Sequence, residues 1–297
     1  MTALDADLLA RDEAEVGEGP AWDERTQTLV WVDITGASVR RSSGVGERLA
    51  VLGVGRHVGA ALPTRDDRLL LALRGGFALL APGGTVEDLL EVEPDPAVRF
   101  NDAKCDPLGR AFAGTMAYDL TPGAGRLYRL DVDGDVRATP VLEQMTLSNG
   151  LAWSPDASTM WVIDSGRGTV TAYAYDADAG EPGRVVVRFE PAAPAGAMPD
   201  GMCVDDAGGL WIAVWGAGEV RRYTPDGTLD TTVRVPVSQV SSCCFGGAAG
   251  DVLFITSARY ELGPRQLAEE PLAGSLFAVS PGVTGRPAVP WSAAPAR

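Results

Sequence analysis

The sequence contains very few of the residues that build zinc sites or disulfide frameworks. Among 297 residues there is one histidine, His57, and there are four cysteines, Cys105, Cys203, Cys243 and Cys244. No two cysteines have the C-x-x-C spacing of a zinc site, and the adjacent pair suits neither a metal nor an easy disulfide. A three-histidine zinc site is therefore excluded, and a Ser-His-Asp triad would depend on His57 alone.

Long hydrophobic runs and an excess of positive charge are also absent. No window approaches the ~18 consecutive apolar residues of a membrane-spanning helix. The N-terminus lacks the basic flank and apolar run of a signal peptide. The formal net charge of −15 argues against nucleic acid or an anionic membrane surface as a partner. We therefore expect a soluble, reduced, cytoplasmic protein. The acidity is compatible with cation binding, but it is a weak indication.

The sequence does contain 36 glycines and 21 prolines between short apolar runs, a composition typical of many strands and turns. A strongly apolar segment recurs six times, at intervals of 40 to 50 residues, as LVWVD from Leu29, LLLAL from Leu69, RAFAG from Arg110, MWVID from Met160, LWIAV from Leu210 and VLFIT from Val252. Each copy is followed by a glycine and an alternating strand. This period predicts one all-β domain over residues 1–297, a six-bladed β-propeller with four antiparallel strands per blade.

Both ends of the chain bear on how the ring closes. The last repeat ends in GRPAVPWSAAPAR, which is rich in proline and poor material for a strand. The segment from Ala6 to Arg11 precedes the first repeat and has the character of a strand. We expect this N-terminal strand to be the outer strand of the sixth blade, so that the ring closes and an exposed sheet edge is removed.

Alignment of the six innermost strands gives a set of candidate functional residues. Four residues before the last residue of each strand, the six copies have Glu18, Val58, Asn101, Asn149, Asp200 and Ser241. Innermost strands line the channel of a propeller and run parallel to one another, so equivalent positions lie at the same depth. We therefore expect Glu18, Asn101, Asn149 and Asp200 to converge at one end of the channel.

Two carboxylates and two amides form a set of oxygen ligands, which hard cations such as Ca²⁺, Mg²⁺ or Mn²⁺ prefer. Without a cation, the carboxylates would repel each other and one pKa would rise. The alternative is a channel lined with polar groups and water. His57 lies beside Val58 at the channel mouth. It could contact a substrate, and a partly buried structural role is equally compatible with the sequence.

Several motifs together resemble the regucalcin/gluconolactonase family, also called the senescence-marker-protein family. They are EGPAW, RFNDAKCDPLGRAFAGTM, SNGLAWSPD, PDGMCVDDAGGLW and SSCCFGG. The resemblance runs from about Gly17 to Gly247 and more loosely to the end. It implies a six-bladed propeller with one divalent cation in the channel mouth, and hydrolysis of sugar-acid lactones.

The resemblance also implies roles for individual residues. The glutamate of EGP, the asparagine of SNG and the aspartate of PDG hold the metal in the family, which corresponds to Glu18, Asn149 and Asp200 here. The arginine and asparagine of RFND bind substrate, which indicates Arg99 and Asn101.

The same resemblance indicates two residues after GTMA. Animal members have two acidic residues there, the second in contact with substrate. Here the sequence reads GTMAYD, so Asp119 takes the second place and Tyr118 replaces the first acidic residue. This difference bears on which sugar is preferred. Tyr118 and His57 are candidates for the wall of the substrate pocket.

The hypothesis is therefore a metal-dependent lactonase with a small-molecule lactone as its partner. The cation stabilises the oxyanion as water attacks, and Asp200 accepts a proton from that water. Calcium is the expected cation, with Zn²⁺, Mn²⁺, Mg²⁺ or Fe²⁺ as alternatives. Two other functions fit the same scaffold: a metal-dependent hydrolase of another ester, phosphoester or non-sugar lactone, and a non-catalytic calcium-binding propeller.

Overall fold

Six β-sheets surround a central channel in the computed structural model, which describes residues 2–293. The chain begins with two short strands, β1 (Thr2–Asp5) and β2 (Asp7–Ala10), that belong to the last two blades. The innermost strand of each blade contacts that of the next, and the sixth contacts the first. The predicted six-bladed propeller with four antiparallel strands per blade is confirmed.

The strands of the first three blades follow one another from the channel outward. Blade 1 consists of β3 (Gly17–Asp23), β4 (Thr28–Asp33), β5 (Ser38–Ser43) and β6 (Arg48–Gly53). Blade 2 consists of β7 (Val58–Pro63), β8 (Leu69–Leu73), β9 (Gly76–Leu80) and β10 (Val86–Glu91). Blade 3 consists of β11 (Val98–Cys105), β12 (Ala111–Ala117), β13 (Gly125–Asp133) and β14 (Asp135–Met145).

The remaining blades repeat the arrangement. Blade 4 consists of β15 (Ser148–Trp153), β16 (Thr159–Asp164), β17 (Thr169–Asp176) and β18 (Glu181–Phe189). Blade 5 consists of β19 (Met198–Val204), β20 (Leu210–Trp215), β21 (Glu219–Tyr223) and β22 (Leu229–Arg234). Blade 6 contains β23 (Val240–Gly246), β24 (Val252–Ser257) and β25 (Leu276–Val279).

Helix is confined to two short segments of residues 2–293. A single 3₁₀ turn, Ser165–Arg167, follows β16, and α1 (Pro264–Glu269) lies between β24 and β25. Neither of these described helices is long and apolar enough to cross a membrane.

The second strand of each blade is apolar on both faces because it is buried between two neighbouring blades. In β4, Leu29 and Trp31 pack toward blade 6, whereas Val30 and Val32 pack toward blade 2. Successive side chains of a strand point to opposite faces, so alternate residues serve alternate interfaces. This accounts for the six continuous apolar runs that make the repeat visible in the sequence.

The hydrophobic core is divided into six clusters, one at each interface between neighbouring blades. The interface between blades 6 and 1 contains Trp22 stacked on Phe254, with ring centroids 5.3 Å apart. The tryptophans within the strand patterns are buried, as packing residues are. The ring is therefore held by sheet-on-sheet packing at every junction, including the one where the two ends of the chain meet.

The N-terminus closes the ring, as the sequence predicts. Strand β2 pairs antiparallel with β25 and supplies the outer strand of blade 6. Strand β1 then pairs in parallel with β22 as a fifth strand of blade 5, a pairing that the sequence analysis missed. The first ten residues thus tie together the two last blades of the chain.

A segment after β25 crosses one face of the ring, and we call residues 284–292 the C-terminal strap. Gly285 pairs with Asp205 of blade 5. The amide of Ala288 donates to the carbonyl of Trp22 in blade 1, and that of Trp291 donates to Pro63 in blade 2. The amide of Ser292 donates to Gly109 of blade 3. The described part of the proline-rich end, up to residue 293, forms no blade strand, as expected, and it links four blades instead.

Deleting residues 1–11 removes β1 and β2 and exposes the edges of β22 and β25. We expect the melting temperature to fall by at least about 5 °C, because blade 6 loses its outer strand and the ring its closure. Deleting residues 1–5 removes β1 alone from a complete blade and should cost less. Thermal melts of both proteins test this. An unchanged melting temperature after the longer deletion would show that closure by β2 contributes no stability.

Candidate active site

Every inner strand is irregular at the position that the sequence alignment singles out. In all six blades the pairing of the inner strand with its neighbour shifts register there, as at a β-bulge. Asn101, Asn149, Asp200 and Ser241 lie within the irregular stretch, and in blade 1 the shift begins at Glu18. A bulge re-aims a side chain, and these bulges bring polar side chains of different blades together in the channel.

The inner strands approach one another so closely that glycine follows the aligned position in four blades. A Cβ atom on Gly150 would lie only 2.7 Å from the backbone oxygen of Asp200 in the next blade. A Cβ atom on Gly59 would collide with the backbone oxygen of Asn101. The glycines of SNG and PDG therefore have a steric cause, whereas Gly19 of EGP has a left-handed backbone, with φ of 54°, that favours glycine.

Glu18, Asn149 and Asp200 form a buried group. Nδ2 of Asn149 donates to Oδ1 of Asp200 and, at 3.0 Å, to the hydroxyl of Ser165. Oε2 of Glu18 accepts the amide of Gly19 at 2.9 Å. The amide oxygen of Asn149 is buried and has no hydrogen-bond partner in the part of the chain that the structure describes. This amide oxygen is thus free to accept a hydrogen bond or to ligate a metal ion.

The two carboxylates occupy a position that penalises their charge. Burial raises the pKa of Glu18 well above its usual range, and the carboxylates of Asp200 and Asp102 raise it further. Burial also raises the pKa of Asp200 well above its usual range, although the hydrogen bond from Asn149 offsets part of this. A cation at these oxygens would remove both penalties, because it supplies the opposite charge that the buried carboxylates lack.

The donor set fits a hard divalent cation. Between residues 2 and 293 no three histidine, cysteine, aspartate or glutamate side chains gather as a metal cluster. The candidate centre instead combines two carboxylates with amide oxygen, the ligand type that Ca²⁺ and Mg²⁺ accept. The unpartnered oxygen of Asn149 and the raised pKa values of both acids are what such a centre requires before its cation binds.

Arg99 and Asn101 lie beside this group. Nη1 of Arg99 donates to Oδ1 of Asn101 at 2.7 Å and to the carbonyl of Phe100 at 3.0 Å. Nδ2 of Asn101 donates to the carbonyl of Ser148 in the next blade at 3.1 Å. Arg99 acts electrostatically on both Glu18 and Asp200. The structure therefore brings the predicted substrate-binding pair next to the predicted metal ligands.

Tyr118 and His57 lie together beside Arg99. The hydroxyl of Tyr118 lies 2.7 Å from Nδ1 of His57, and their rings meet edge to face. The guanidinium of Arg99 lies over the Tyr118 ring, 5.8 Å from its centroid. Both residues thus belong to the same cluster as Arg99, and their role as pocket-wall residues stays a prediction.

Asp119 is placed differently. It lies in the exposed turn after β12, and its carboxylate accepts hydrogen bonds from the hydroxyl and the amide of Thr121, at 2.7 and 3.0 Å. Within residues 2–293 its carboxylate forms no hydrogen bond or ion pair with another predicted site residue. A role for Asp119 in substrate binding stays a prediction, and it would require the carboxylate to leave the Thr121 turn.

Two functional candidates were missed by the sequence analysis. Asp102 is buried beside Asn101 and acts electrostatically on both Glu18 and Asp200. Ser165 accepts from Asn149 and donates to the carbonyl of Pro199 at 2.6 Å, so it fixes the Asn149 amide. The RFND motif itself contained the signal for Asp102. Ser165 follows a second strand, outside the aligned inner positions, so the alignment could not find it.

The other end of the channel has a different character. Lys104 reaches from blade 3 to blade 5 and donates to the carbonyl of Met202 at 2.5 Å. Beyond it, an apolar cavity of about 200 Å³ is lined by inner-strand residues such as Trp153 and Phe245 and by the C-terminal strap. None of the predicted site residues lines this cavity. The polar chemistry is thus concentrated at the mouth near His57.

The chain is similar in sequence to proteins of one known family. A family model described as the SMP-30/gluconolactonase/LRE-like region matches residues 16–259. Regucalcin of Danio rerio is 36% identical over 294 residues, covering 97% of this chain and 98% of regucalcin.

Two solved structures are similar to this chain. A calcium-binding protein, regucalcin from Agrobacterium tumefaciens, superposes with a TM-score of 0.91 at 27% identity, covering 98% of this chain and 99% of that one. A gluconolactonase from Xanthomonas campestris superposes with a TM-score of 0.70 at 25% identity, covering 91% and 87%.

The single histidine offers a direct test of the electrostatics at the mouth. Burial lowers the pKa of His57 below its ordinary value of 6.5, and Arg99 and Arg74 lower it further. The unfolded chain therefore binds a proton at higher pH than the folded one. Stability that His57 contributes is present above pH 6.5 and is lost as the pH falls below it. Proton NMR should show one imidazole signal with a midpoint below 6.5, absent in His57→Gln. A midpoint at or above 6.5 would contradict this placement of the ring.

Proposed function

The chain belongs to the SMP-30/gluconolactonase/LRE-like family, and we propose that it is a divalent-metal-dependent hydrolase that opens sugar-acid lactones. The observation that carries the proposal is the buried group of Glu18, Asn149 and Asp200 beside Arg99. A binding propeller needs the three oxygen donors alone. A guanidinium held next to them, with donors facing the same mouth, is what a hydrolase needs to position a substrate.

Glu18, Asn149 and Asp200 are the residues that would hold the cation, with Ca²⁺ as the first candidate and Zn²⁺, Mn²⁺, Mg²⁺ or Fe²⁺ as alternatives. When bound, such a cation polarises a lactone carbonyl and lowers the pKa of water. Ser165 supports the site because it fixes the Nδ2 side of Asn149 and leaves the amide oxygen available.

Asp200 is the proposed general base. Water attacks the acyl carbon, its proton passes to Asp200, the bond between the acyl carbon and the ring oxygen breaks, and that oxygen takes a proton to become a hydroxyl. The product is an open hydroxy acid. Asp200 accepts a proton only as a carboxylate, and the charge of the cation beside it would favour that ionised form.

Arg99 and Asn101 are proposed to hold the hydroxyls of the sugar acid. Their mutual hydrogen bond at 2.7 Å fixes both side chains before substrate arrives, which lowers the entropic cost of orientation. Tyr118 and His57 would form the wall against which the ring lies, and Asp119 stays a candidate for a further hydroxyl contact. We also propose a cytoplasmic location, supported by four buried, unbridged cysteines.

The proposed function is tested by acid release from a panel of aldonolactones with Ca²⁺, Mg²⁺, Mn²⁺ or Zn²⁺. We expect activity with at least one cation and none in excess chelator. At a concentration 100 times its Kd, the cation should also stabilise the fold by about 2.7 kcal/mol, visible as a higher melting temperature. Full activity in excess chelator would show that hydrolysis does not depend on a divalent cation. Cation binding without hydrolysis of any lactone would support the non-catalytic propeller, and turnover of esters or phosphoesters alone would support the other hydrolases.

The role of Asp200 is tested against that of Asn149. Asp200→Asn keeps an oxygen ligand but removes the proton acceptor, so turnover at saturating metal should fall by about 10²–10⁴-fold. Asn149→Asp keeps an oxygen ligand and leaves the base intact, so it should lose less. Both variants are measured with metal occupancy confirmed by elemental analysis. If fully loaded Asp200→Asn turns over as fast as Asn149→Asp, Asp200 is a ligand only.

A further inference from the structure

Glu18 and Asp200 act electrostatically on Arg99, but neither carboxylate is in direct ion-pair contact with it. Among the described residues no carboxylate lies within the 4.0 Å that defines an ion pair around its guanidinium. Its hydrogen bonds are made by Nη1 alone, to Asn101 and to the carbonyl of Phe100. In residues 2–293, Nη2 and Nε have no partner. Placing a guanidinium in a half-buried position without a counter-ion is costly, and its fork of donors matches a carboxylate or a phosphate.

A second arginine lies at the same wall. Arg74 is the exposed residue directly after β8, and its amide donates to the carbonyl of His57 at 2.8 Å. It acts electrostatically on both His57 and Tyr118. As with Arg99, the described part of the chain provides no ion-pair partner for it. Two uncompensated arginines thus flank the pair of Tyr118 and His57 in a chain whose net charge is −15.

The other charges of the site are accounted for separately. A divalent cation would compensate Glu18 and Asp200. The ammonium of Lys104, the only lysine of the chain, acts on Asp102. Glu15 and Glu261 lie near Tyr260. The charges that act on both His57 and Tyr118 are the positive charges of Arg99 and Arg74.

We propose that the mouth selects lactones carrying a second, negatively charged group, a carboxylate at the end of the sugar chain remote from the lactone carbonyl. This rests on the proposed lactonase function and specifies its substrate class. Nη1 of Arg99 stays with Asn101 on the side of the sugar hydroxyls. Nη2 and Nε of Arg99 would bind the carboxylate, and Arg74 would draw it toward this wall. The Arg99 guanidinium packs on the ring of Tyr118, and the Tyr118 hydroxyl is hydrogen-bonded to Nδ1 of His57 at 2.7 Å.

The test uses two lactones that differ at one carbon. D-glucono-1,4-lactone ends in a CH₂OH group, and D-glucaro-1,4-lactone ends in a carboxylate. We expect the metal-loaded protein to have a kcat/KM at least about tenfold higher for the charged lactone, as bidentate charge-assisted hydrogen bonds allow. Raising the salt concentration should reduce this preference, because screening weakens exposed charges. Salt should leave the neutral lactone far less affected.

The matched variants are Arg74→Gln and Arg137→Gln. Both remove one positive charge, and Arg137 is exposed on the outer strand β14. Arg74→Gln should reduce the preference about fivefold, the upper range for one exposed ion pair, whereas Arg137→Gln should preserve it. Equal losses in both variants would mean that net charge, not this wall, decides the preference, and would overturn the proposal.

The remaining outcomes separate this proposal from the proposed function. If the two lactones have equal kcat/KM values at low salt, the proposed lactonase function is supported and the proposed selection for a charged lactone is wrong. If neither lactone is hydrolysed, the proposed lactonase function is wrong. The selection for a charged group is then tested by the binding of the two open-chain acids. Glucarate should then raise the melting temperature of the Ca²⁺-loaded protein more than gluconate does, and less so in Arg74→Gln. Equal effects of the two acids would overturn it.

Discussion

The close approach of the six inner strands is the constraint on which the rest of the site depends. Room for a Cβ atom is missing beside Gly59 and Gly150, so the backbones of neighbouring blades nearly touch there. Regular pairing breaks at the same level in every blade. Side chains from blades 1, 4 and 5 therefore meet in a buried position, and this burial raises the pKa values of Glu18 and Asp200.

Stability and chemistry are separated in space by this arrangement. The apolar clusters lie between the blades, and each is built by strands that bury both faces. They can offset the cost of two buried carboxylates and a half-buried arginine at the axis, since none of these polar groups interrupts the packing of a cluster. Buried charges without a partner are typical of functional sites, where a bound ligand later supplies the opposite charge.

The sequence predicts the parts of this structure that repeat. The apolar run of each second strand indicates that both faces of that strand are buried, so six runs predict six blades. The strand character of residues 6–11 predicts the strand that closes the ring. Aligned inner positions also predict that Glu18, Asn149 and Asp200 meet. The pairing of β1 with β22, the course of the strap and the position of Ser165 depend on contacts between distant parts of the chain, and no local pattern encodes them. Asp119 shows the same limit, because a neighbouring threonine satisfies its carboxylate.

Lys104 and the C-terminal strap both lie at the end of the channel remote from His57. The ammonium spans from blade 3 to Met202 of blade 5, and the strap crosses that face from blade 5 to blade 3. A polar molecule that does not displace the ammonium would enter and leave by the same mouth. A hydroxy acid that stays at this mouth would block the arrival of the next molecule, so departure of the product, more than bond breaking, would set the rate of turnover when product is abundant.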